Sequence, residues 1–121
     1  MKTLLIIDDE YDISATLEMV FTMEGYAVLT AYNGAEAMKI LKSAPCPDLI
    51  LSDMMMPVMD GYDFVNALKE SQMCQGVPVL LISSALLDLS RIDRRDYHTF
   101  IRKPFDLEDV CDLVESLVSD E

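Results

Sequence analysis

Short apolar runs alternate with stretches of helical period along the whole chain. The first run, Thr3 to Asp8, stays apolar until its last residue, as strands buried on both faces do. Ile13, Leu17, Val20 and Phe21 then recur at spacings of three and four, which predicts a helix from about Tyr11 to Glu24, with Gly25 at its stop. Tyr26 to Ala31 is the second strand. Asn33 caps a second helix, with Glu36 three residues on and Ala37, Met38, Ile40 and Leu41 on its inner side. Pro45 and Pro47 close that helix and lead into strand three, Asp48 to Asp53. Helix three follows the Pro57–Gly61 turn and carries Phe64, Val65 and Leu68. Strand four is Val77 to Ser83 and strand five about His98 to Arg102. Between them Leu86, Leu87, Leu89 and Ile92 suggest a short helix that Asp88, Arg91, Asp93, Arg94, Arg95 and Asp96 crowd with charge. Asp106 caps a last helix with a strong stripe of Leu107, Val110, Leu113, Val114, Leu117 and Val118. Five strands and five helices in strict alternation predict an α/β fold, a doubly wound parallel sheet with helices on both faces.

The strand ends carry the chemistry. Strand one ends at Asp8-Asp9, strand three at Asp53, strand four at Ser83 and strand five at Lys103. In a doubly wound sheet these tips lie along one edge, where ligands bind. Any one of them alone reads as a turn-former, a cap or a surface group. Together, three converging carboxylates repel one another unless a cation joins them. Oxygen donors without histidine or thiolate select Mg2+, with Mn2+ possible. A carboxylate beside such an ion can attack phosphorus and become an aspartyl phosphate. Asp53 is the candidate nucleophile, Lys103 the compact positive charge and Ser83 the hydroxyl donor that would stabilise the transferring group.

Composition narrows the field. The chain has 121 residues, 22 acidic against 9 basic, and a formal charge of −13. One compact domain, residues 1–121, is the expectation. The negative field disfavours direct binding to nucleic acid or an anionic membrane. The longest apolar run falls far short of the ~20 residues a membrane span needs, and Asp8-Asp9 cut off the N-terminal run too early for a secretion signal. A cytoplasmic protein is therefore expected. Cys46, Cys74 and Cys111 are odd in number and widely spaced, so free, small thiols are expected rather than a zinc site or disulfides. His98 reads as an ordinary residue at the start of strand five, and the nine methionines as packing groups.

The set of segments resembles the receiver domain of two-component response regulators. The resemblance rests on Asp8-Asp9, on Asp53-Met54-Met55-Met56-Pro57-Val58-Met59-Asp60-Gly61, on Pro78-Val79-Leu80-Leu81-Ile82-Ser83 and on Lys103-Pro104-Phe105, and it covers essentially the whole chain. It implies a flavodoxin-like (βα)5 fold with strand order 2-1-3-4-5. It implies Asp53 as phosphoacceptor, taking a phosphoryl group from a histidine kinase or histidine phosphotransfer protein. Asp8, Asp9, Asp53 and the backbone carbonyl of Met55 would hold Mg2+, and Ser83 and Lys103 would contact phosphoryl oxygens. Phe100 would be the rotating aromatic that follows Ser83 as a switch, changing the face built from helix four, strand five and helix five. That face would act on a partner or an output domain. Arg91, Arg94 and Arg95 against Glu108, Asp109, Asp112 and Glu115 could pair two phosphorylated copies there. The chain departs from the family at Asp96-Tyr97, where many receivers have Gly-Ala before strand five. A phosphatase of the haloacid-dehalogenase type is the rival reading. It needs a second Asp two residues past the nucleophile, and Met55 stands there instead.

Overall fold

The computed structural model describes residues 1–119. Its five strands are β1 (Thr3–Ile7), β2 (Ala27–Ala31), β3 (Leu49–Asp53), β4 (Val79–Ser83) and β5 (Thr99–Arg102). All pair in parallel, in the order β2-β1-β3-β4-β5. The helices are α1 (Tyr11–Met23), α2 (Gly34–Ser43), α3 (Gly61–Ser71) and α4 (Leu107–Val118). The expected doubly wound sheet and its strand order are thus present.

Side chains along a strand point to opposite faces, and this divides the core in two. Leu5, Ile7, Ile50, Val79 and Leu81 pack with Ala37, Met38 and Leu41 of α2 and Phe64, Val65 and Leu68 of α3. Leu4, Ile6, Leu49, Leu51, Leu80 and Ile82 pack on the other face with Leu17 and Phe21 of α1 and Val110, Val114 and Val118 of α4. The central strands β3 and β4 are buried at every residue. Asn33 and Asp106 cap α2 and α4 through side-chain oxygens, as their positions predict. Gly25 follows α1 in the left-handed region, φ 99°, which relieves the chain of a Cβ penalty as it turns into β2.

Two expectations fail. The helix predicted within residues 84–97 is not formed; only Arg94–Asp96 makes a single 3-10 turn. Local polar bonds compete with the helix there. Asp88 Oδ1 accepts from both the backbone and the hydroxyl of Ser90, Asp93 accepts from the Arg95 backbone, and the Asp88 N–H donates to Tyr62 Oη on α3. Buried Ile92 pins the segment to the core, while Leu86 and Leu89 stay exposed. Arg91 lies over the Tyr62 ring, 4.3 Å from its centroid, and pairs with Asp60 and Asp63, which ties the segment to the start of α3.

The second correction concerns the cysteines. Cys46 and Cys74 form a disulfide across 28 residues, and Cys111 is the free cysteine. The segments entering β3 and β4 arrive at neighbouring strands, so these two loops lie side by side although nothing in the spacing announces it.

Candidate functional site

The alternation that builds the core also aims the site. Asp8 continues the phase of Leu4 and Ile6, Asp53 that of Leu49 and Leu51, and Lys103 that of Ile101. All three leave their strands toward the α1/α4 face, at the carboxyl edge. Lys103 Nζ lies 3.5 Å from Asp8 Oδ2, 3.4 Å from Asp53 Oδ2 and 2.6 Å from Glu10 Oε1. Each buried aspartate has one oxygen held by backbone: Asp8 Oδ1 accepts from the Glu10 N–H at 2.8 Å, and Asp53 Oδ1 from the Met54 N–H at 2.8 Å. The second oxygen of each is turned to the ammonium.

Burial dominates the electrostatics. It pushes Asp8 up to about 6, with the Asp53 charge adding to the effect and the Glu10 N–H and Lys103 opposing it. Burial likewise raises Asp53, against the pull of Lys103 and the Met54 N–H. Burial works against the charge of Lys103, but the Glu10 contact and the charges of Asp53 and Asp8 outweigh it, and its pKa rises. The site therefore gathers more negative charge than its one ammonium balances.

The turn after Asp53 is tightly built. Gly61 begins α3 with its N–H on the Met54 carbonyl at 3.0 Å. A Cβ at Gly61 would lie 2.6 Å from the Asp53 carbonyl oxygen and 2.7 Å from Met54 Cα, both backbone atoms that cannot swing aside. Met54 is fully buried and Met56 and Met59 pack against the α2/α3 side of the core, as packing groups should. Met1, Met19, Met23 and Met55 are exposed instead, against the expectation of packing, and Met55 lines the cleft over the site, about 630 Å³, with Asp9, Glu10, Asp53, Ser84 and Lys103.

The predicted residues thus divide. Asp8, Asp53 and Lys103 meet, while Asp9 and Met55 border the cleft above them. Ser83 and Phe100 lie on the other face of the sheet, in phase with Leu81, which pairs with Phe100 in the β4/β5 register. Ser83 is buried at the β4 tip, its Oγ accepting from the Ala85 N–H at 3.1 Å. Its carbonyl accepts from the Lys103 N–H at 2.8 Å, a direct backbone link between the two tips.

Sequence reasoning missed Glu10. The three carboxylates that come together within 4.8 Å are Asp8, Glu10 and Asp53, without Asp9. A signal was present: Glu10 stands at the N-cap of α1, a poor residue for that position, and its side chain makes no capping bond. A crowded set of hard oxygen donors, two of them buried, fits a divalent cation such as Mg2+.

The chain is 33% identical over 116 residues to sporulation initiation phosphotransferase F of Bacillus subtilis, covering 94% of this chain and 91% of that protein. It is 36% identical over 107 residues to the response regulator SaeR of Staphylococcus epidermidis, covering 87% of this chain but 45% of SaeR. The structure superposes on the response regulator TrrA of Thermotoga maritima, solved in complex with Mg2+-BeF, with a TM-score of 0.83 and 26% identity over 97% of this chain and 99% of that one. Residues 4–115 match the family model of the response regulator receiver domain, and the chain belongs to that family.

Proposed function

We propose that residues 1–121 act as one phosphoacceptor module, switched by covalent modification of Asp53. The observation that carries this reading is the posture of Asp53: one carboxylate oxygen fixed by the Met54 N–H, the other facing Lys103 at the floor of an open cleft. That free oxygen attacks the phosphorus of a phosphohistidine on a histidine kinase or histidine phosphotransfer protein. The new O–P bond forms as the P–N bond breaks, the bonding pair returns to the donor nitrogen, and the imidazole, already protonated on its other nitrogen, leaves neutral. Lys103 contributes a point charge to the incoming phosphoryl oxygens. Asp8 and Asp53, with Glu10, Asp9 and the Met55 carbonyl at hand, would hold Mg2+ (Mn2+ satisfies the same donors), which supplies charge neutralisation on the phosphoryl group when bound.

Ser83 and Phe100 would read the modification. The Ser83 hydroxyl leaves the Ala85 N–H to donate to a phosphoryl oxygen, dragging the start of the 84–93 segment with it. Phe100, half-buried and two register positions from Ser83 on the same sheet face, turns into the space released. The altered face comprises the β4–β5 connection, β5 and α4, including a cleft of about 720 Å³ between Phe100, Arg102, Phe105, Asp109 and Asp112. It acts on an output domain or a partner, a second copy of the chain included. The module modifies itself and turns over no separate substrate.

Incubation with Mg2+ and acetyl phosphate tests the reading by intact mass. One added phosphoryl group is expected in the wild-type chain and none in Asp53→Asn. Equal uptake by both would refute Asp53 as the acceptor.

A further inference from the structure

The shortest contact that Lys103 makes is not with the acceptor. Its Nζ lies 2.6 Å from Glu10 Oε1, well inside the 3.4 Å to Asp53 Oδ2 and 3.5 Å to Asp8 Oδ2. The Lys103 side chain is only 13% exposed, whereas that of Glu10 is 57% exposed and free of capping duty. Asp8 and Asp53 are fixed in place by backbone donors, so they cannot follow the ammonium. Glu10 can. Its backbone N–H is anchored on Asp8, and its side chain reaches over the cleft from the start of α1.

We propose that Glu10 is a positioning residue that competes with the phosphoryl group for Lys103. In the resting chain its carboxylate makes the closest of the three carboxylate contacts to the ammonium, ahead of Asp53 and Asp8. An anion arriving on Asp53 must displace that carboxylate, which also repels it as the third negative charge within 4.8 Å. Glu10 thereby weakens capture and retention of the phosphoryl group while adding a donor for the cation. This inference rests on the phosphoacceptor reading and assigns residue 10 a role of its own within it.

The opposing effects on anion and cation give the test. The whole chain is titrated with beryllofluoride at saturating Mg2+, and separately with Mg2+ alone, by calorimetry. Glu10→Gln is expected to bind beryllofluoride about two- to five-fold more tightly, the range of a partly exposed ion pair, while its Mg2+ affinity is unchanged or weaker. A merely loosened pocket would weaken both. Glu18→Gln, which removes the same charge from α1 away from the site, should leave both affinities at wild type. Beryllofluoride affinity in Glu10→Gln that equals or falls below wild type would overturn the role of Glu10, as would a gain reproduced by Glu18→Gln. If the wild-type chain captures neither beryllofluoride nor a phosphoryl group, the phosphoacceptor reading itself falls.

Discussion

Replacing Asp8 by Asn should stabilise the metal-free protein, although it removes a site residue. Asp8 is fully buried, and burial raises its carboxyl from 3.8 to about 6. The sign follows from linkage: the folded state binds this proton more tightly than the unfolded one, so ionisation opposes folding. The penalty is absent below about pH 3.8, grows as pH rises toward 6, and is fully present above it. At ~1.4 kcal/mol per pKa unit, it amounts to about 3 kcal/mol at pH 7 and to roughly 0.5 kcal/mol at pH 4. Asn keeps the oxygen that accepts from the Glu10 N–H and discards the charge, so it should recover most of that energy. Urea denaturation with a chelator present, at pH 7 and pH 4, measures the difference between variant and wild type. A gain of about 2–3 kcal/mol at pH 7 that shrinks to a fraction at pH 4 is expected. Added Mg2+ should then stabilise wild type far more than the variant, because the cation offsets the same repulsion. A variant less stable than wild type, or a gain independent of pH, would refute the view that the site holds uncompensated buried charge.

Other perturbations probe the frame around the site. Gly61→Ala drives a Cβ into the Asp53 and Met54 backbone, so it should cost roughly 1–3 kcal/mol in chemical denaturation and lower phosphoryl uptake by displacing Asp53. Reduction of Cys46–Cys74, which closes a span of 28 residues, should lower stability by about 3–4 kcal/mol in the chain-entropy account, and Cys46→Ser should match the reduced wild type. Arg91→Ala removes the contacts to Tyr62, Asp60 and Asp63. Its global cost should stay below about 1 kcal/mol because the pairs are partly exposed, while hydrogen exchange should accelerate at Asp88 and Arg91. Unchanged exchange there would mean that Ile92 alone holds the segment.

Much of this molecule was legible in the order of its residues because burial writes itself locally. A strand buried on both faces is largely apolar, so β1, β3 and β4 stood out. The polar residue that ended each run marked a strand tip, which identified Asp8, Asp53 and Ser83, while Lys103 was placed by the end of the weaker fifth strand. A cation site could be proposed at those tips because several carboxylates gathered at one edge repel one another unless a cation joins them. What the sequence left open depends on where distant segments meet. Glu10 and Lys103 are 93 residues apart, and only the joint arrival of β1 and β5 at one edge makes them partners. Cys46 and Cys74 meet because β3 and β4 are neighbours. The leucines of residues 84–97 promised a helix, yet Tyr62 and Asp63 of α3 and its N-cap Asp60 hold that segment in turns. Local periodicity fixed which face each residue took; the packing of loops against other elements decided which charges and sulfurs became partners.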